Sequence, residues 1–485
     1  MQAFDRLEDF IAELEKRGEL VRIAEEVDPD LEMTEIADRT VKGYGPALIF
    51  ENPVGSDYPV AMNLFASEQR MAWALGAEDL KEIADRIEEI IKPKIPKGLI
   101  EKLAMLPKLK ELAEMGPKII KKAACQEVVL EGDDVDLTKL PILKCWPEDG
   151  GKFVTLGMVF TKSPEDGKRN IGLYRLQLYD KTTTGMHWHP PKGGAAHYLE
   201  AEKKGERLEV AVAIGADPAT IYSATAPVPD GIDELLFCGF VRRKPVELVK
   251  CKTVDLEVPA ESQFVLEGYV EPHERRVEGP FGDHTGFYSL SDEFPVFHVT
   301  CITQKKNPIY AATIVGPPPM EDAWLGKATE RIFLPMLQMV VPEVLDYNLP
   351  VEGGFHNLAL VKIKKRYAGH ARKVMNALWG LGQMMVMKCI VIVDHDVDVH
   401  NPREVLWKAL AHIDPERDTQ FSIGPVDILD HASRNFGFGS KMGIDATRKW
   451  PDEGFERRWP DQQVMDPDVK KRIDEIWEKL GIKLD

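Results

Sequence analysis

The chain has 485 residues, enough for two or three domains and a sizeable core. A net charge of −18 argues against a nucleic-acid binder that relies on bulk positive field. With 44% hydrophobic and 29% charged residues, the composition is that of a folded globular protein rather than a disordered one.

Phe4, Leu7, Phe10, Ile11 and Leu14 recur at helical spacing, and Gly18 ends that helix. Residues 20–23 then predict a strand, 31–41 a helix, and 47–50 a second strand. Ile83, Ile87, Ile90 and Ile91 mark one face of a further helix. Residues 93–122, rich in Lys, Leu and Pro, predict a helical connector, with a boundary near 115. From 125 to 312 the texture changes to short strands, at 153–156, 208–214, 245–249 and 264–270, separated by turn residues. That pattern predicts a barrel or sandwich, since a parallel sheet needs a helix after each strand. Beyond 312, residues 358–363 and 389–393 predict strands and 371–381 a helix. The final helix carries Val469, Ile473, Ile476, Trp477 and Leu480 as an apolar stripe, to be covered by its own domain or by a partner subunit.

The N-terminal residues Met1 to Asp5 form neither a basic nor an apolar segment, which predicts no signal peptide and a cytoplasmic protein. The apolar run 389–393 is far short of the roughly 20 residues that span a bilayer. Six scattered cysteines without a C-x-x-C pair read as reduced thiols. Phosphate-loop and nucleophile-elbow motifs are absent, and residues 437–442 and 273–277 each miss a cofactor or zinc signature by a position.

Four segments carry chemistry. Glu278 and Asp283 flank Gly279, Pro280 and Gly282, which brings two carboxylates onto one tight loop and predicts pKa values pushed apart. In 169–178, Arg175 falls on the strand face opposite Asn170 unless a bulge at Gly172 resets the register; an inward Arg pairs with an acid or grips an anion bidentately. His187 and His189 share a face of an extended chain and could both reach a metal, with Glu234 as a carboxylate donor. Ser440 and Lys441, set among glycines, suit an anion.

Eight blocks in order, at 170–175, 215–220, 226–230, 249–251, 255–260, 278–286, 367–371 and 440–447, make the chain resemble the UbiD family of decarboxylases, which use prenylated flavin mononucleotide. The form of 283–286 is nearest the 4-hydroxy-3-polyprenylbenzoate decarboxylase-like branch. The resemblance implies an α+β multidomain fold. An N-terminal α/β domain would occupy 1–115, a central split β-barrel related to flavin reductases and binding FMN 116–312, and a C-terminal α/β domain with a trailing oligomerisation helix 313–485.

It also implies roles. Arg175, Glu278 and Asp283 match the catalytic set, with Arg175 and Glu278 paired over the flavin and Asp283 delivering a proton to the carbon that loses CO2. Asn170, Arg175, Ala224, Thr225, Ala226, Pro227 and Lys441 match cofactor contacts, Lys441 on the phosphate. Asn170 and Glu234 match ligands of a divalent metal, usually Mn2+, with K+ nearby. The family's ligating histidine falls at Pro191, which has no donor, so His189 is the replacement candidate and His187 the weaker one. The implied reaction is reversible, non-oxidative decarboxylation of an aromatic or α,β-unsaturated acid, with an iminium cofactor as electron sink. A UbiX-type flavin prenyltransferase would supply the cofactor, and the chain would form a homodimer or homohexamer. Two alternatives stay open: a flavin-dependent oxidoreductase on the same barrel, and a decarboxylase of a phosphorylated unsaturated acid of isoprenoid synthesis.

Overall fold

The computed structural model describes residues 1–91, 114–188, 193–228 and 232–482. Most of the predicted connector, and the candidate ligand His189, lie outside these residues.

The first helix, Leu7–Lys16, buries Leu7, Phe10, Ile11 and Leu14, as their spacing requires. Gly18, at φ +75°, turns the chain into the strand Leu20–Val27. That strand pairs in parallel with Ala47–Pro53, and the helix Glu32–Lys42 makes the crossover. Val60–Met62 extends the sheet, and its far edge is Tyr310–Ala311, which arrives from beyond the central region. The borrowed strand has a consequence: residues from Leu7 to Phe333 form one continuous hydrophobic core. In the helix Leu80–Ile91 only Ile83 and Ile87 of the predicted isoleucine face are buried, and Ile90 is exposed.

The central sheet has seven antiparallel strands. Its path runs Val128–Glu131, Asp292–Gln304, Phe264–Glu278, Leu208–Ile214, Phe153–Lys162, Arg169–Gln177. Thr183–Gly185 branches off Asp292–Gln304, and a single bridge joins it to Leu178 just past the last strand. The sheet therefore curls toward itself, but no continuous ladder closes it into a barrel among the described residues. Three helices interrupt the expected all-β texture: Gly193–Lys204, Pro218–Ser223 and Glu234–Arg242. The first opens on two glycines, which read as a turn in sequence, and the other two are too short to show a period.

The C-terminal sheet runs Val344–Asn348, Leu358–Ile363, Cys389–Asp394, Phe438–Asp445, Thr419–Pro425. Its three middle strands are parallel and its two edges antiparallel. It has its own two cores, one on each side of the sheet. A 20-residue helix, Glu321–Val340, joins it to the rest. The trailing helix Pro467–Asp474 starts on an Asp466 cap and buries nothing. Its predicted stripe does not pack on its own domain: Val469, Ile473, Trp477 and Leu480 are 46%, 37%, 39% and 47% exposed. Among the described residues no helix is long and apolar enough to cross a membrane.

Candidate active site

Arg175 lies near the end of the strand Arg169–Gln177, and Glu278 is the last residue of Phe264–Glu278. Pairing is regular from Arg169 to Tyr174, and the register shift sits on the partner strand between Val154 and Gly157. No bulge occurs at Gly172, so strand parity keeps Arg175 and Asn170 on opposite faces. Inward, Arg175 meets both carboxylates. Its Nε and Nη2 donate to Glu278 Oε1 and Oε2 at 2.8 and 3.1 Å, and its Nη1 to Asp283 Oδ2 at 2.5 Å. Nη2 also donates to Ser289 Oγ at 3.2 Å, and the guanidinium stacks 4.5 Å from the Phe281 ring. Of five N–H groups, four are engaged within the protein. Of the two sequence readings of Arg175, pairing with an acid is the one realised.

The loop that carries Asp283 is pinned from beneath. Asp149 accepts from the N–H groups of Gly282, Cys145 and Trp146 at 2.8, 3.1 and 2.8 Å. Gln177 accepts from Gly279 N at 2.7 Å and donates to the Gly150 carbonyl at 2.9 Å. The indole of Trp146 fills the space that Cβ atoms on Gly282 and Gly316 would occupy.

The expectation that the two carboxylates part into an acid and a base is corrected: both are ionised, because one guanidinium lies between them. Burial would raise Glu278, but the His187 hydrogen bond and the Arg175 charge bring it down to about 2. Burial would likewise raise Asp283, but the His284 hydrogen bond and Arg175 hold it well below the usual carboxylate range.

His187, the weaker candidate metal ligand in the sequence, places Nδ1 3.0 Å from Glu278 Oε2 and its ring 4.2 Å from Phe294. His284 lies in the 278–286 block, where the sequence assigns it no role. Its Nδ1 lies 3.1 Å from Asp283 Oδ1, and its backbone N–H donates to the same oxygen at 2.7 Å. Sequence adjacency could not show that the ring folds back onto its neighbour. Asp149, Gln177 and Ser289 were also missed, since nothing local in their sequence marks them.

The two described metal-ligand candidates come together. Asn170 packs against Gly193, and with its amide oriented to suit its neighbours the side-chain oxygen accepts from the Ile171 and Gly194 N–H groups at 3.2 Å. Glu234 opens the helix Glu234–Arg242, and the N–H next to Asn170, that of Ile171, bonds to it. Burial pushes Glu234 up to about 7, opposed by that bond and only weakly by Arg169. A half-buried acid and a half-buried amide offer hard-oxygen donors of the kind a divalent cation takes. No cluster of three His, Cys, Asp or Glu side chains suited to a metal occurs among the described residues.

Ala224, Thr225, Ala226 and Pro227 form the turn after the helix Pro218–Ser223, with Thr225 Oγ1 donating to the Tyr222 carbonyl at 2.7 Å. Ala224 is buried and the other three half-buried. Lys441 sits in the C-terminal sheet, 2% exposed, with its amino group on the Met385 carbonyl and 6.0 Å from the Trp379 ring. Burial alone lowers it to about 8, with no carboxylate contributing. Among the described residues it has no counter-ion, and a buried cation of that kind suits an anionic group. Among the described residues no hydrogen bond or ion pair joins it to Arg175, Glu278 or Asp283.

Three family models match the chain. They are the N-terminal domain (residues 11–87), the Rift-related domain (118–318) and the C-terminal domain (323–446) of 3-octaprenyl-4-hydroxybenzoate carboxy-lyase, UbiD. An uncharacterized protein of Archaeoglobus fulgidus is 53% identical over 480 residues, covering 99% of both chains. Vanillic acid decarboxylase of Sedimentibacter hydroxybenzoicus, in its closed form, superposes with a TM-score of 0.86 at 28% identity over 100% of both chains. The UbiD-class enzyme HmfF of Pelotomaculum thermopropionicum, solved with FMN, gives 0.78 at 29% identity over 96% of this chain and 98% of its own. An evolved dimeric form of HmfF, solved with prFMN, gives 0.79 at 28% identity over the same shares.

Proposed function

The chain belongs to the UbiD family of carboxy-lyases, and from that premise we propose that it decarboxylates an aromatic or α,β-unsaturated carboxylic acid reversibly, without net oxidation, using prenylated FMN. The observation that carries this reading is the buried clamp in which Arg175 holds Glu278 and Asp283 together. Losing CO2 leaves an electron pair on an sp² carbon, and the modified flavin, when bound, supplies the electron sink.

The chain's own residues do the rest. Glu278 fixes the plane of Arg175 from below, and His187 fixes Glu278. The N–H that Arg175 keeps in reserve is available to the substrate carboxylate. Asp283 delivers the proton to the carbon that CO2 leaves. Because Asp283 is ionised at rest, that proton must reach it during turnover.

Asn170 and Glu234 are the proposed holders of Mn2+ or another divalent ion, with His189 as third ligand and K+ nearby. Lys441 and the turn 224–227 are the proposed phosphate and flavin contacts. We take the curled central sheet as a split barrel that carries the flavin, within domains 1–115, 116–312 and 313–485. The cofactor would come from a UbiX-type prenyltransferase in the cytoplasm, and a second copy of the chain would cover the trailing helix.

The test is direct. Protein co-produced with the prenyltransferase is offered hydroxybenzoates, other aromatic acids and unsaturated acids, and CO2 release is followed. Turnover of at least one class is expected, and Asp283→Asn should abolish it while flavin stays bound. A flavin-loaded protein that decarboxylates none of them overturns the proposal, and full activity in Asp283→Asn removes the role of that residue.

A further inference from the structure

His284 stands where three parts of the chain meet. Its own loop supplies Asp283, in contact on one side. The helix Glu321–Val340 supplies Asp322 near its start. The segment entering the strand Leu358–Ile363 supplies Phe355, stacked on the imidazole at 5.2 Å, and His356, edge-on at 5.5 Å. The segment after the strand Thr419–Pro425 supplies Asp427, whose charge also reaches the ring. Phe355 is held at φ +43°, a conformation an aromatic residue rarely adopts, and in it the ring lies flat on the imidazole. The imidazole side chain is 11% exposed. The groups facing His284 are thus Asp283, Asp322, Asp427 and His356, with the Arg175 cation on the far side of Asp283.

We propose that His284 and Asp283 act as one proton-holding pair, with His284 as the positioning residue that keeps a proton at Asp283 Oδ1 for delivery to the substrate carbon. This rests on the decarboxylase reading. The balance is simple. CO2 departs without the bonding electrons, and the carbon keeps the pair. A C–H bond forms with the proton carried by the pair, the His284 Nδ1–H bond breaks in compensation, and Asp283 ends as it began. His284 is left neutral and takes the next proton from solvent. In the reverse direction the deprotonated pair, ionised Asp283 with neutral His284, is the base.

The electrostatics agree with the geometry. Burial opposes charge on His284, but Asp283, Asp322 and Asp427 outweigh it and carry the ring up to about 9. Burial holds Asp322 up to about 7, against the attraction of His284. The pair is therefore loaded at neutral pH and empties as pH rises through about 9. Coupled groups of this kind titrate as a unit, so the value belongs to the pair.

Two measurements test the inference. In the full-length chain with labelled histidines, NMR should find one imidazole of the twelve titrating near pH 9. That signal should vanish in His284→Asn and move to lower pH in Asp322→Asn, which leaves the pair's own contact in place. In the flavin-loaded enzyme, the decarboxylation rate should fall above about pH 9. His284→Asn keeps an N–H toward Asp283 but cannot titrate; it should lose about 100-fold in kcat and lose that alkaline limb. A His284 imidazole that titrates below pH 7, or an alkaline limb that His284→Asn leaves in place, overturns the proposal. If no acid is decarboxylated at all, the function assignment fails, while the NMR titration still decides the pair.

Discussion

One guanidinium neutralises two buried carboxylates at this site. Glu278 is fully buried, Asp283 nearly so, and the Arg175 side chain is 8% exposed. Arg175→Met removes the cation and strands both acids. Breaking a buried pair in this way costs about 3–5 kcal/mol, against a total stability of about 5–15 kcal/mol. Denaturant melts should show that loss at pH 7 and much less of it in acid. The sign follows from Glu278, whose pKa falls on folding from 4.5 to about 2. Its contribution is fully present above about 4.5 and disappears as pH falls toward 2. Arg175→Lys keeps the charge but loses the fork, so its loss should be smaller. Equal losses for the two variants would mean that geometry, not charge, dominates. At this scale the sequence marks Arg175, Glu278 and Asp283, because a Gly-Pro loop and a strand arginine have local signatures. It does not mark His187 as a Glu278 partner, because the two residues are 91 positions apart in the chain.

The loop from Glu278 to Ser289 owes its position to a rigid wedge. Trp146 Nε1 donates to the Val315 carbonyl at 2.8 Å, which fixes the indole. A Cβ on Gly282 would lie 2.3 Å from Trp146 Cδ1, and one on Gly316 2.4 Å from Cζ2. Neither glycine has a positive φ, so their smallness matters here and not their backbone freedom. Gly282→Ala should push the neighbouring Asp283 away from Arg175 while the strands on either side remain. Misplacement by about 1 Å can cost about 100-fold in rate, so kcat should fall by that order with far-UV circular dichroism unchanged and the tryptophan near-UV signal altered. A wild-type rate would show that the loop position is not set by this contact. Turn residues made short strands legible at 153–156, 208–214 and 264–270, but not the strand Asp292–Gln304 or the full lengths of Phe153–Lys162 and Phe264–Glu278. The wedge was not legible, since it joins residues 146, 282 and 316 with no shared motif.

The whole chain carries a net charge of −18, yet it buries cations: Arg175 and His284 at the site, and Lys441 in the C-terminal sheet. The acidic excess therefore belongs to the exterior, where it opposes non-specific association. Against that background the apolar residues left outside are conspicuous. The edge strand Thr419–Pro425 presents Phe421 and Ile423 at 72% and 70% exposure, with Phe436 at 73% nearby in the chain. The trailing helix and the turn after it present Ile473 and Trp477. An edge strand with exposed apolar residues and a helix with an uncovered stripe are what a second copy of the chain would cover. Ile473 and Trp477 have 37% and 39% of their surface left to cover, so their burial would contribute about 0.5–1 kcal/mol each. Replacing both by serine should therefore weaken association by about 10-fold. Sedimentation velocity at micromolar protein should show an assembly for the unaltered chain and a shift to a smaller species for the double variant. Turnover per chain should be retained in that smaller species, because Arg175, Glu278, Asp283 and His284 all come from one chain. An unaltered chain that sediments as a monomer would leave the stripe without its proposed occupant, and a smaller species that has lost turnover would mean that the second copy completes the site.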